Sequence, residues 1–572
     1  MISIFEMLGI YGLEQDKEDA ILSSLLTGDP VLLIGRQGTA KTALIEAIGS
    51  AFHEASKRRF NNVLKAKGNV ESMMTEEEKE IFSFHIYDAS KINFEDLIGF
   101  PNPEEMKKGK MSFIKSPMTA WGKKLIGFDE FNRQEPARQN NIFELIRSRR
   151  LQGMDTGTVW IMNAMNPYGM AGTEELDEAL VDRHQWFIYV SNFVEMSDVN
   201  QERIVKHIGG SDAIGLREWA NLHSKYEVND GRKPNEPYLI NETLANAGEI
   251  IQKMMVEASK KYQQLSTEVG DPYSWFISRY WKSVTTEMQG KPWKVELSGR
   301  RAGMLLRALL AFRAVDLTKC DMDSSRTCRN LQDMFKSVIK MTIPIGIANA
   351  GNGIDSNALN SLMTNVDIYS SFFKAGKDGK KARTALDAVY ELLTTNELSR
   401  KVELLMSDEA DEVAKNTIWS TILNSLKNDL KSPEDLRNAI TLGIVAHIMT
   451  VKPNAVPLTM QASIAKHSSK ILKLNELCEN ISITGQFVMR INDITKIVES
   501  YDNIFTRLQC KLLFEIACKE NKDVDLTNDM FNNICDSIKL KCSQLSRLLD
   551  EKKIDSMKVK SITPAPTSAI SV

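Results

Sequence analysis

The octet Gly35-Arg36-Gln37-Gly38-Thr39-Ala40-Lys41-Thr42 constrains this chain most, because it sits between the apolar run Val31-Leu32-Leu33-Ile34 and a helix-forming run. A strand that passes through a glycine-rich turn into a helix gathers backbone N–H groups and the positive helix end around one point. That arrangement suits a phosphate. In it Lys41 would neutralise β- and γ-phosphates and the Thr42 hydroxyl would bind Mg²⁺. Ala40 stands where G-x-x-x-x-G-K-[ST] expects its second glycine. Taken alone, the octet is equally a packing turn between a strand and a helix.

A second run changes the balance. Leu125-Ile126-Gly127-Phe128-Asp129-Glu130 is an apolar strand that ends in two adjacent carboxylates. Nucleotide hydrolysis needs one carboxylate to hold Mg²⁺ and another to orient and deprotonate a water. Asp129 fits the first task and Glu130 the second; the plainer alternative is an acidic helix cap. Further on, Ala164-Met165-Asn166-Pro167 follows an apolar run at Val159 to Met162. An amide there could hold the attacking water or touch a γ-phosphate, although Asn-Pro by itself is a turn. Leu180-Val181-Asp182-Arg183-His184 then places an arginine at the end of a helix, just before the run Trp186 to Val190.

These runs, with Phe82 to Tyr87, alternate with helix-period segments, so residues 1–195 are expected to form an α/β domain with a largely parallel sheet. Pro101 to Pro117, containing Lys107-Lys108-Gly109-Lys110, reads as a hairpin inserted in a helix. Lys57 to Glu80 reads as a charged insertion, ending in the capping-box pattern Thr75-Glu76-Glu77-Glu78. From about residue 196 the pattern is helical, with a helix start at Ser432-Pro433-Glu434-Asp435 and a Gly/Lys-rich loop at Lys374 to Lys381. The expected division is a core over 1–195, a helical lid over 196–355, an all-α region over 356–557 and a disordered tail over 558–572.

Length and composition narrow the classes. A chain of 572 residues is long enough for two to four domains. A net charge of −3 excludes a globally basic surface for nucleic acid. The longest apolar stretch, Ala439 to Val451, is too short to span a bilayer. The first residues lack the basic segment and cleavage site of a signal peptide. All seven cysteines lie in the C-terminal half without a C-x-x-C pair, so reduced thiols are expected, and no structural metal. The 26 methionines are dispersed and read mainly as core filler.

In their order, these motifs resemble the AAA+ ATPases, and more narrowly the MoxR-like branch that works with von Willebrand A-domain partners. GRQGTAKT is similar to that branch's phosphate loop, GFDEFNRQEPARQNNIFELI to its carboxylate strand and following helix, and NAMNPYGMAGTEELDEALVDRHQ to its sensor-1 and arginine-finger segment. The resemblance spans roughly residues 8 to 350, densely to about 190. It implies a P-loop αβα core with a helix-2 insert (Pro101 to Pro117), then a helical lid. It also implies adenine contact at Tyr11-Gly12, phosphate binding by Gly35 and by Gly38, Thr39, Ala40, Lys41 and Thr42, and magnesium held by Thr42 and Asp129. Glu130 would be the base and Asn166 sensor 1. Arg183 would reach a neighbouring subunit's γ-phosphate, in a ring that is most often hexameric. Sensor 2 would fall in Ser298-Gly299-Arg300-Arg301-Ala302, with Arg301 preferred and Arg300 as the alternative. Asn132-Arg133 also match the family motif, with Arg133 as a candidate intersubunit contact, and His184 departs from the Phe usual there.

The implied function is a cytoplasmic, Mg²⁺- and ATP-dependent remodeller of a protein client, with a von Willebrand A-domain protein as the candidate the resemblance offers. The rivals are a nucleic-acid motor of the same insert-bearing clade, favoured only by Lys107 to Lys110, and a nucleotide-locked scaffold. Nucleic-acid and membrane partners are not expected.

Overall fold

The computed structural model describes residues 3–134, 136–167, 170, 172–174, 176–211, 235–288, 298–344, 356–375, 379–394 and 404. The chain divides into two compact units, Met1–Thr364 and Asn365–Val572. The helix start at Ser432, the tail, most of the expected C-terminal region, and the cysteines from Cys478 onward lie outside the described residues.

The first unit is built on five parallel strands: β1 (Val31–Ile34), β2 (Phe84–Asp88), β5 (Leu125–Asp129), β8 (Trp160–Met165) and β9 (Trp186–Tyr189). Their order across the sheet is β2-β5-β8-β1-β9, with Val31 opposite both Met162 and Trp186. Buried strands read as apolar runs, which is why β1, β5 and β9 are legible in the sequence, whereas the edge strand β2 is mostly half-buried and carries His85 within its run. Side chains alternate between the faces. Leu32, Ile34, Ile126, Phe128, Ile161 and Phe187 share a core with helices α5 (Phe94–Ile98), α7 (Pro136–Ser148) and α8 (Glu178–Val181). On the opposite face α3 (Lys41–Ala66) packs so closely that a Cβ on Gly127 would lie 3.0 Å from Ile45, and one on Gly49 would overlap the Phe84 ring. Helices on both faces of a parallel sheet form the expected three-layer α/β core.

Two excursions leave this core. Strands β3 (Phe100–Pro101) and β4 (Phe113–Ile114) pair antiparallel around the short helix α6 (Pro103–Lys107), so the expected hairpin forms within Pro101 to Pro117. A second hairpin, β6 (Arg150–Leu151) with β7 (Met154–Asp155), was not anticipated. Its turn places Gln152 and Gly153 at φ 53° and 76°, the left-handed geometry that a two-residue hairpin requires.

The expected charged insertion at Lys57 to Glu80 is corrected at its start. Helix α3 continues to Ala66, because Phe60 and Leu64 recur at helical spacing and bury against Met74 and Tyr238. The capping box does form: Glu78 N–H donates to Thr75 Oγ1 at 3.2 Å, and Thr75 N–H to Glu78 Oε2 at 2.8 Å.

Beyond β9 the described part of the first unit is helical: α9 (Asp198–Ser211), a long helix Glu242–Met288, the helix Gly299–Met322 of the expected lid (called the lid helix below) and a helix Leu331–Thr342. Arg307 of the lid helix grips Asp29 with two bonds of 2.8 and 2.6 Å, just before β1. Asp19 of α2 (Gln15–Thr27) and Asp316 of the lid helix are both fully buried. Arg326 reaches them at 3.1 and 3.2 Å, and Arg329 bonds to both as well. Buried carboxylates persist only with such multiple charged donors. The same contacts fold the 323–330 loop back over the lid helix, where Cys320 and Cys328 are disulfide-paired with Cα atoms 5.9 Å apart. The expectation of reduced thiols is therefore corrected for this pair. Their sulfurs and Asp316 lie close enough to share a metal ion, but the Asp316 oxygens already accept from arginines. Among the described residues no helix is long and apolar enough to cross a membrane.

Candidate active site

The expected phosphate loop, Gly35 to Thr42, follows β1 and opens α3. Gly35 has no room for a side chain: a Cβ would stand 2.8 Å from Thr39 Oγ1 and 2.9 Å from the Val190 carbonyl. Gly38 and Ala40 are left-handed, at φ 82° and 61°. Ala40 thus holds the backbone of the missing glycine, at a cost of about 1–2 kcal/mol for a residue with a Cβ. The Lys41 ammonium donates to the carbonyls of Gly35 (2.7 Å) and Arg36 (2.9 Å), and lies 3.5 Å from Thr39 Oγ1 and Asn166 Oδ1. Lys41 is buried, and among the described residues no carboxylate stands within ion-pairing distance of it. Burial lowers its pKa, opposed by the fields of Asp129 and Glu130. A buried cation without a counter-ion, inside a turn of inward backbone, fits a bound polyphosphate.

The carboxylates stand beside it. Thr42 Oγ1 donates to Asp129 Oδ2 at 2.6 Å, so the two expected magnesium ligands already touch. Glu130 takes a left-handed backbone at φ 49°, and its N–H donates to Asp129 Oδ1 at 2.8 Å. Its carboxylate meets Arg133 at 3.3 Å, which gives Arg133 a partner within its own chain. Strand β8 lies between β1 and β5 and delivers Asn166 between the lysine and the carboxylates. Asn132, fully buried, fixes Asn166: its Nδ2 donates to the Asn166 carbonyl at 2.8 Å and its Oδ1 accepts from Asn166 N–H at 3.3 Å. The sequence singled out Asn132 only through the family motif, because a backbone clamp leaves no spacing signal.

Tyr11 and Gly12 lie at this same end of the sheet. Gly12 is left-handed (φ 80°), and a Cβ there would meet Met196 Sδ at 2.5 Å, in the segment that follows β9. The Tyr11 ring meets His207 of α9 edge-on, with centroids 5.5 Å apart. His207 and Met196 had no sequence signal, since only the return of the chain after β9 brings them here.

Arg183 and the Arg300–Arg301 pair lie elsewhere. Residues 181–184 precede β9, at the end of the strands opposite the loop that follows β1, where Gln185 N–H bonds the Pro30 carbonyl. The strand between the two ends is four residues long, about 13 Å. Arg183 stacks on Phe143, 3.9 Å from the ring centroid, and donates to the Ala179 carbonyl at 2.5 Å. Ser298 caps the lid helix by accepting from Arg301 N–H. Arg301 is 1% exposed, and its guanidinium is spent on the carbonyls of His184, Val181 and Thr342. Arg301, the preferred sensor-2 residue, is thus the buried member of the pair. Arg300, half exposed and 3.2 Å from Asp182, is the one with a guanidinium at the surface.

His184 is fully buried behind Arg183. Its Nδ1 lies 2.8 Å from the Leu180 carbonyl and its Nε2 2.7 Å from Asn163 Nδ2, a pattern that assigns the neutral ring with Nδ1 protonated. Burial pushes its pKa from 6.5 down to about 4. The unfolded chain therefore binds a proton that the folded chain refuses, and stability rises with pH across that window. Acidification from pH 7 to pH 5 should cost about 2 kcal/mol through this ring alone. Urea unfolding of the parent and of His184→Phe at both pH values checks this: the His184→Phe chain should lose less on acidification.

No protein-family model matches this sequence, and no curated protein matches it. Among solved structures, it is similar to a Cytophaga hutchinsonii protein whose assignment as an ATPase is itself provisional. The two share 16% identity over 63% of this chain and 92% of that one, with a TM-score of 0.36. The functional argument therefore rests on the residues of the site.

Proposed function

We propose that this chain is a ring-forming ATPase of the MoxR-like AAA+ type, which couples Mg²⁺-dependent ATP hydrolysis to remodelling of a protein client. The observation that carries the reading is the buried Lys41, without an ion pair among the described residues, beside Thr42, Asp129, Glu130 and Asn166, with Arg183 at the opposite end of the sheet. Lys41 and the loop N–H groups would bind the phosphates. Thr42 and Asp129 would hold Mg²⁺, which when bound supplies charge neutralisation. Glu130 would take a proton from the water that attacks the γ-phosphorus, and the bond to the bridging oxygen would break to leave ADP and phosphate. Asn166 would orient that water.

Arg183 is too far from Lys41 of its own chain to assist this chemistry, so it would serve a neighbouring copy. That supports a ring, without fixing its size. The insert supports a protein client: Phe100, Met106, Met111 and Ile114 are all at least half exposed on it, a surface better matched to protein than to a phosphate backbone. A von Willebrand A-domain partner and a cytoplasmic setting belong to the same reading, on resemblance alone.

The test pairs two variants. Arg183→Ala should bind ATP and hydrolyse it poorly, as should Glu130→Gln. Mixing them rebuilds a complete site wherever an intact Glu130 meets an intact Arg183, so part of the ATPase rate should return. Full activity of Arg183→Ala alone, or an active species that sediments as a monomer at every nucleotide state, would sink the shared site.

A further inference from the structure

The end of the sheet that carries Arg183 holds more positive charge than one arginine explains. Arg147 lies in the last turn of α7, exposed, one helical turn beyond Phe143 and on the same face. Because Arg183 stacks on Phe143, Arg147 and Arg183 are neighbours. From the other side Asp182 holds Arg300 at 3.2 Å, and the buried Arg301 lies behind, 3.7 Å from the same carboxylate. Among the described residues, no carboxylate makes an ion pair with Arg147 or Arg183. The acidic groups whose fields reach Arg183 are Asp182 and Asp177. Four guanidiniums thus face two carboxylates, in a chain whose overall charge is −3.

Such a gathering is self-repelling. Burial first, then the fields of Arg300 and Arg147, lower the pKa of Arg183. The Asp182–Arg300 pair relieves little of this, because a half-exposed ion pair is weak and readily exchanged. An incoming polyanion would reverse the sign of the interaction, since guanidiniums are the side chains best suited to grip phosphate oxygens in pairs.

We propose that Arg147 is a further phosphate contact, which with Arg183 and Arg300, the alternative for sensor 2, forms a three-point receiver for the nucleotide triphosphate of a second copy of this chain. This rests on the reading that Arg183 serves a neighbouring site. It adds Arg147, a residue that no motif singles out, and brings Arg300 to the same ligand. Arg183 is fixed by its stack and its carbonyl bond, whereas Arg147 and Arg300 are exposed and able to close on the ligand from either side.

The experiment compares Arg147→Gln, Arg147→Lys, Arg300→Gln and Arg183→Ala in the full chain. Arg147→Gln and Arg300→Gln should each lower kcat about tenfold, the scale of one charged hydrogen bond to a transition-state phosphate. Arg147→Lys should recover part of that loss. ATP affinity in the monomeric state and the thermal midpoint should not move, because both side chains are exposed and remote from their own phosphate loop. If Arg183→Ala is inactive while Arg147→Gln keeps the parental kcat, the receiver is overturned and the shared site stands. If Arg183→Ala is fully active, the shared site and the receiver fall together. A third outcome also overturns the proposal: Arg147→Gln hydrolyses ATP normally but loses salt-sensitive affinity for a single-stranded oligonucleotide, which would make this end of the sheet a nucleic-acid surface.

Discussion

Replacing Lys41 with Met should abolish nucleotide binding while leaving the empty protein as stable as before, or slightly more so. The two halves of that result have one cause. The Lys41 ammonium is buried among carbonyls, with Gly35 and Arg36 as its nearest acceptors and no carboxylate in contact. Desolvating an ion without a counter-ion is costly, and here the cost is visible as a lowered pKa. Met keeps most of the side-chain volume and removes the charge, so the empty state loses four polar contacts but is relieved of the buried ion. The bound state loses the buried cation of the loop, since Arg36 is exposed. In the parent, Mg-ATP at a hundred times its dissociation constant should stabilise the fold by about 2.7 kcal/mol. Thermal unfolding of Lys41→Met should show no such increment. A nucleotide-dependent rise in Tm equal to the parent's would refute the phosphate-loop assignment. A large fall in the Tm of the empty protein would show that Lys41 is there to hold the loop.

The sequence carried the half of the site in which chemistry and local backbone coincide. Val31–Ile34 and Leu125–Asp129 were legible because strands buried on both faces cannot hide polar residues, and the functional groups follow directly at their ends. The hairpin at Phe100 to Ile114 and the cap at Thr75 were legible for local reasons too. Failures came where a distant segment decides. Lys57 to Ala66 looked like an insertion because its exposed face is charged, and only the packing of Phe60 and Leu64 against Met74 shows the helix continuing. The hairpin at Arg150 to Asp155 is two residues per strand, too short for an alternation to register. Which of Arg300 and Arg301 is buried is also not legible in the sequence: adjacent helix residues point about 100° apart, and which one is covered depends on how their helix docks. The Cys320–Cys328 pairing likewise follows from arginines that anchor the intervening loop on Asp19 and Asp316. In each case the missing information was tertiary.

Glu130→Gln should separate binding from chemistry. The Glu130 backbone sits at φ 49°, where its N–H reaches Asp129 Oδ1, so this turn orients both carboxylates together. Gln occupies the same volume and leaves that backbone bond intact. Asp129, Thr42 and Lys41 are untouched, and the nucleotide-dependent rise in Tm should remain at its parental size. What disappears is the group able to accept a proton from water, so hydrolysis should slow by at least about a hundredfold, the scale of a lost general base. The side chain also gives up its ion pair with Arg133, at 3.3 Å and partly exposed, a contact that contributes little to stability. That difference supplies the control: Arg133→Ala also breaks the pair but leaves the base, and should lower the rate far less than Glu130→Gln. If the two variants slow hydrolysis equally, the pair orients the site and Glu130 is not the base. If Glu130→Gln turns over at the parental rate, another group activates the water. Retained binding with lost turnover, and a mild Arg133→Ala, is the one combination that assigns proton transfer to Glu130.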